Sequence, residues 1–291
     1  MSTLLETLAS YVPNFILRRI VKNPEPITSP TFESFPAAVL YADITGFTAL
    51  TERLESIPHA EQGAGAEAVT NAINAYFERF TDVLHAYGGD TVKLTGDAVL
   101  AIWATETNLP AVQIASTLRD ALRRAAQCGL AIQQALENYV TTDGIPLSVK
   151  RGIGAGDLNN ANLGGEERRW EVLVGGAPVV QSHAAEGHAN PGEVVLSPHA
   201  YRLTRTFSNG TPLPFERGED GEPGSSEGVG LLLKTVLDPL PPSRLPEIKL
   251  APHMEPALRP YIPAAILTRL DAGQSAWLSE VRRVTVLFIN L

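Results

Sequence analysis

The chain has 291 residues, 44% of them hydrophobic and 19% charged, the composition of a globular protein that buries a large core in one large domain or two small ones. A net charge of −9 argues against a nucleic-acid partner, since phosphate binding draws on clustered Lys and Arg that this sequence does not supply. A single cysteine, Cys128, excludes an internal disulfide and a cysteine-built zinc site, and no run approaches the ~20 apolar residues of a membrane span.

In chain order, Leu4, Leu5, Leu8, Tyr11, Val12, Phe15 and Ile16 recur at near-helical spacing and predict a packed helix. Glu6 and the late position of Arg18, Arg19 and Lys22 argue against a signal peptide, so a cytoplasmic location is expected. An apolar strand then runs from Ala37 to Asp43, and Gly46 lets the chain turn into a helix at about 47–56 that Thr45 or Thr48 caps. Residues 65–87 predict a longer helix with Val69, Ile73, Tyr76, Phe77, Phe80 and Leu84 on one face, stopped by Gly88 and Gly89. Residues 90–103 read as two strands joined by a Thr95-Gly96-Asp97 turn.

A third helix is expected over 110–138, then strands over 147–155 and 170–174, a helix from Gly176 to about Glu186, and a strand over 192–196. Residues 218–227 contain only Gly, Ser, Glu, Asp and Pro and predict an exposed loop between strands. Pro239, Pro241 and Pro242 mark a boundary, and Leu258, Ile262, Ile266 and Leu270 are spaced for one face of a helix over 257–270. Strands alternating with helices around a central hairpin imply an α+β fold, a mixed sheet with helices packed on it.

Asp43 and Asp97 each stand where a strand gives way to a tight turn. Taken singly, such an aspartate bonds its own backbone. If the hairpin pairs with the first strand, the two carboxylates meet at one edge, as two-metal phosphoryl chemistry requires of magnesium ligands. His59, His85, His183, His188, His199 and His253 show no ligand spacing that ties them to this pair, and each reads as a surface or packing histidine.

The element Asp43-Ile44-Thr45-Gly46-Phe47-Thr48 and the hairpin Lys93-Leu94-Thr95-Gly96-Asp97 resemble the class III nucleotidyl cyclases. The nearest likeness is the first catalytic domain of the soluble, bicarbonate-responsive adenylyl cyclases and their bacterial relatives. The leader at 8–17 and the end at 277–290 are similar to the flanks of that domain. The resemblance implies a ferredoxin-like βαββαβ core and conversion of ATP to cyclic AMP and pyrophosphate in intracellular signalling. It implies two Mg2+ or Mn2+ held by Asp43, Asp97 and the Ile44 carbonyl, and phosphates met by backbone N–H groups of Thr45, Gly46, Phe47 and Thr48. Lys93 falls where adenylyl cyclases carry the lysine that reads adenine; in the first domain of two-domain enzymes it lines a second pocket that binds bicarbonate.

The implied organisation is a leader at 1–35, a cyclase domain at 36–237, a connector at 238–283 and, at 284–291, the first strand of a second cyclase domain. Alignment on Val172, Leu173, Val174 and Gly175 puts Pro178 where the family carries a ribose-steadying Asn, and Ser182 where it carries a phosphate-directed Arg. Glu171 differs from the usual Thr or Asp at a base-contacting position. The Arg of a bicarbonate pocket is also the residue replaced by Ser182, which argues against bicarbonate. Three readings follow: a metal-donating half completed by a second cyclase domain, a homodimeric cyclase, or a catalytically silent regulatory module that binds nucleotide or a small anion.

Overall fold

The computed structural model describes residues 3–46, 52, 62–106, 109–137, 139–141, 144, 146–166, 169–216 and 227–273. Expectations for Phe47, Thr48 and the helix at 47–56 lie, Glu52 apart, outside the described residues, as do those for 217–226 and 284–291. The leader forms α1 (Leu4–Ala9) and α2 (Asn14–Lys22) rather than one helix. Pro13 precedes α2 and has no amide to continue α1. The core follows as β1 (Thr31–Thr45), α3 (Gln62–Ala86), β2 (Asp90–Thr95), β3 (Ala98–Ala104), α4 (Ala111–Leu136) and β4 (Ser148–Gly164). Then come β5 (Trp170–Gly175), α5 (Ala177–Gly187), β6 (Val194–Leu196), α6 (Pro198–Thr204), β7 (Ser208–Phe215) and β8 (Gly228–Val236).

All eight strands join one sheet in the order β2-β3-β1-β4-β6-β8-β7, with β5 paired to β4. The run β1-α3-β2-β3-α4-β4 with sheet order β2-β3-β1-β4 is the ferredoxin-like βαββαβ arrangement. β1 is central and pairs antiparallel with β3 and β4, whereas β4 and β6 run parallel and make the sheet mixed. β1 and β4 extend beyond the predicted strands: β1 starts at Thr31, inside the stretch read as leader, and pairs Thr31 with Asn162.

Residues 37–42 are almost wholly apolar because helices cover both faces of β1. On one face Ala38, Leu40, Ala42 and Ile44 pack with Tyr76, Phe80 and Leu84 of α3 and Leu122, Ala125 and Ile132 of α4. Tyr76, Phe80 and Leu84 recur every four residues, the period that keeps side chains on one helical face. On the other face Phe35, Ala37, Val39, Leu100, Ile102 and Leu158 meet Phe15 of α2 and Val179 of α5. Cys128 is buried in the first layer.

The expected helix over 257–270 is broken into α7 (Glu255–Leu258), a 3-10 turn (Arg259–Tyr261) and α8 (Ala264–Asp271). Pro260 and Pro263 each remove an amide and clash with the preceding turn. The apolar spacing still serves its purpose: Leu258, Ile262 and Leu270 bury against Leu8, Ile16 and Ile20 of the leader. Connector and leader therefore form one small cluster.

That cluster is tied to the core by a carboxylate. Pro13 leaves α2 without a side-chain cap, and Asp90, at the start of β2, supplies one from across the fold. Its oxygens accept the amides of Asn14 at 2.9 Å and Phe15 at 2.8 Å, the donors a helix start leaves unsatisfied. Burial dominates nevertheless and pushes the Asp90 carboxyl up to about 6. Folded Asp90 thus binds its proton more tightly than the unfolded chain does, so stability falls as pH rises from about 4 to about 6. Asp90→Asn should remove that part of the pH dependence in thermal melts. Asp90→Ala, which leaves both amides without the cap, should lose roughly 1–2 kcal/mol of stability at pH 7.

Candidate active site

β1 delivers Asp43 to the edge of the sheet, one residue from the strand's last buried apolar position, Ile44. The register places Thr95, Ala98, Asp43 and Lys150 in one row across β2, β3, β1 and β4. Residues directly opposite in an antiparallel pair project from the same face, so Lys150 flanks Asp43. The β2–β3 turn brings Asp97 to the same corner, where its carbonyl accepts the Ile44 amide at 3.1 Å. The structure thus brings together the two aspartates that stand 54 positions apart in sequence.

Gly46 closes the corner. Its φ is +102°, and an added Cβ would lie 2.6 Å from the Pro146 carbonyl oxygen, so glycine is required on both counts. Next to it the Thr45 hydroxyl is buried without a hydrogen-bond partner among the described residues.

A second charged pair completes the site from α5. Lys150 Nζ lies 2.7 Å from Glu186 Oε1, and Glu186 is nearly inaccessible to solvent. One turn earlier, His183 stands 4.0 Å from Glu186 and sets its ring edge-on to Tyr41 with centroids 4.9 Å apart. α5 reaches this close because β4 carries glycines beneath it. A Cβ on Gly152 would meet the Ser182 carbonyl at 1.9 Å, and one on Gly154 the Pro178 carbonyl at 2.3 Å.

Burial, then Asp97 and Glu186, raise the Asp43 pKa, and Lys150 and His183 only partly offset them. Burial and the same three carboxylates raise Tyr41. Lys150 is held up chiefly by its hydrogen bond to Glu186, despite desolvation. The corner therefore carries more negative charge than its own cations balance. That is the donor chemistry of a hard divalent cation, for which carboxylate and carbonyl oxygens are the preferred ligands. Asp43, Asp97 and the Ile44 carbonyl are the oxygens that could hold it. Among the described residues no group of three His, Cys, Asp or Glu forms a metal cluster.

Lys93 is exposed on β2 opposite Leu100, two positions along from the Asp43 row. The groups that act on Asp43 are Asp97, Glu186, Lys150 and His183, so Lys93 is not brought to the carboxylates. Pro178 and Ser182 turn into the sheet; Ser182 is 0% exposed and its hydroxyl donates to the Val179 carbonyl at 2.9 Å. Lys150, Glu186 and Tyr41 were absent from the expected site, and His183, read as a surface or packing histidine, stands beside it. None has a local signal in sequence, because each enters through register or tertiary approach.

The sequence profile of the Adenylate and Guanylate cyclase catalytic domain matches residues 31–216. The chain belongs to that family, the class III nucleotidyl cyclases. It is 27% identical over 299 residues to Adenylate cyclase type 10 of Rattus norvegicus, covering 98% of this chain and 18% of that protein. It is also 27% identical over 195 residues to Adenylate cyclase 1 of Rhizobium meliloti, covering 66% of this chain and 26% of the relative. The chain thus spans about a fifth to a quarter of the length of these curated relatives. The adenylyl cyclase CyaB from P. aeruginosa superposes with a TM-score of 0.55 at 20% identity, over 72% of this chain and 99% of that one. The guanylyl cyclase Cya2 gives 0.55 at 23% identity, over 73% and 98%. These two share the fold. Among the described residues no helix is long and apolar enough to cross a membrane.

Because an unrelieved carboxylate raises Asp43, Asp97→Asn should lower the Asp43 pKa in a metal-free carbon-13 NMR titration. Asp43→Asn should raise the metal-free melting temperature at pH 7. The sign follows from linkage: a carboxyl whose folded pKa is raised costs stability once ionised, and the cost vanishes below the ordinary carboxyl pKa of about 4. The gain should therefore fade as pH falls.

Proposed function

We propose that this chain is the metal-holding half of an adenylyl cyclase site, completed by a second cyclase domain and converting ATP to cyclic AMP and pyrophosphate. The observation that carries the proposal is the corner itself: Asp43 beside Asp97, directly opposite Lys150, with more carboxylate than ammonium. The reaction brings the ribose 3′-hydroxyl onto the α-phosphorus and expels pyrophosphate. Two divalent ions, Mg2+ or Mn2+, would supply acidification of that hydroxyl and neutralisation of the leaving phosphates.

The chain's own residues do the holding. Asp43, Asp97 and the Ile44 carbonyl bind the cations, and Lys150 offers its ammonium to phosphate oxygens while Glu186 fixes its position. The unpartnered Thr45 hydroxyl and the amides of Thr45, Gly46, Phe47 and Thr48 are donors for the same phosphates. Lys93 belongs to the base or anion pocket of the other interface site, and its ammonium favours adenine over guanine.

Pro178 and Ser182, both packed into the sheet, supply neither the ribose-steadying amide nor the phosphate-directed guanidinium of the family pattern. A wholly buried Ser182 also provides no cation for bicarbonate. The same observation supports the silent-module reading for the chain by itself and disfavours an active homodimer. In this reading residues 36–237 form the cyclase domain and 238–283 the connector.

A cyclase assay in Mn2+ tests it. The chain alone should form little or no cyclic AMP, and mixing it with a second cyclase domain that carries Lys, Asn and Arg should restore activity. Asp43→Ala or Asp97→Ala in the mixture should lower turnover at least about 100-fold with the fold intact by melting. Near-normal turnover in either variant would overturn the metal assignment, and silence with every partner would favour the regulatory module.

A further inference from the structure

Tyr41 lies two residues before Asp43 on β1, and the alternation of a strand sets both side chains on one face. Its partners in the sheet are Leu100 of β3 and Gly152 of β4, and α5 rests on Gly152, where an added Cβ would meet the Ser182 carbonyl. The ring packs on the apolar layer that contains Val39 and Leu100, and His183 of α5 meets it edge-on with centroids 4.9 Å apart. Apolar side chains behind the ring and the helix beside it leave its polar end to the Asp43 row. Asp43, Glu186 and Asp97 act on the phenol there, and Lys150 acts against them.

That phenol is an unused donor. Among the described residues no hydrogen bond engages its hydroxyl, and burial and the three carboxylates hold it above the ordinary tyrosine range of about 10. It therefore keeps its proton at pH 7. The Asp43 carboxylate likewise draws no hydrogen bond from a described residue. Lys150, directly opposite Asp43, is committed to Glu186 at 2.7 Å, and His183 stands 4.0 Å from that same glutamate. Carboxylates that ligate metals are themselves hydrogen-bonded, and loss of such an outer partner costs roughly 10–100-fold in metal affinity.

We propose that Tyr41 is a positioning residue for Asp43: its hydroxyl donates to the Asp43 carboxylate, directly or through one water, and orients it toward a divalent cation. The inference rests on the metal-holding reading of the corner and adds a residue to it. A neutral donor suits the place, because it fixes the carboxylate without adding positive charge that would compete with the cation.

Electron paramagnetic resonance of free Mn2+, titrated with the full chain and with Tyr41→Phe in the absence of nucleotide and partner domain, tests it. Tyr41→Phe keeps the ring and its packing and removes only the hydroxyl. It should weaken Mn2+ binding about 10-fold or more while leaving the metal-free melting midpoint unchanged, since the fold makes no hydrogen bond with that hydroxyl. Equal Mn2+ affinity in the two proteins would overturn the inference and leave the cyclase reading standing, whereas no binding by the wild type would overturn both. Weaker binding with a lowered metal-free midpoint would mark a packing role. A loss seen only when ATP is added would assign the hydroxyl to phosphate, and either of these results would also overturn the proposal.

Discussion

Uncompensated negative charge at the end of β1 is the constraint on which the rest of the site depends. Asp43, Asp97 and Glu186 act together against Lys150, with His183 adding to Lys150 only when protonated. Like charges in a partly desolvated corner disfavour one another's ionisation, a cost that a divalent cation bound there would relieve. Glu186 has a double part: it raises the carboxylate density and holds Lys150 in place.

The corner is assembled by backbone proximity rather than by long side chains. β1 must pair on both sides to align Ala98, Asp43 and Lys150, and α5 must lie almost on β4 for Glu186 to reach Lys150. Gly152 and Gly154 permit that approach, since any Cβ there would collide with α5 backbone. The same closeness bears on position 182. A side chain wholly enclosed between helix and sheet has room for a serine, and an arginine would need α5 to shift. Tight docking of α5 and a small residue at position 182 are then two faces of one packing arrangement.

Much of the fold was legible in the sequence. The apolar run ending at Asp43, the Thr95-Gly96-Asp97 hairpin, the four-residue recurrence of Tyr76, Phe80 and Leu84, and the Gly175-Gly176 start of α5 are local signals, and each marks an element that forms, although β1 reaches back to Thr31. Apolar spacing alone predicts unbroken helices at both ends, and the missing amides of Pro13, Pro260 and Pro263 break them. Half of the site was legible because Asp43 and Asp97 sit in turns with their own signature. The other half was not. Lys150 is one of many strand lysines until register sets it opposite Asp43, and Glu186 is an ordinary helix residue until Gly152 and Gly154 bring its helix down. Asp90 opens a strand in sequence, and only the tertiary fold makes it the cap of α2.

The central claim is that the Asp43–Asp97 corner holds divalent cations. Electron paramagnetic resonance of free Mn2+, titrated with the wild-type chain and with the Asp43→Asn/Asp97→Asn double variant, tests it most directly because it needs neither partner domain nor turnover. The account predicts saturable depletion of the free-ion signal by the wild type and none beyond background by the double variant. Equal depletion by both proteins, or none by the wild type even with ATP present, would contradict it.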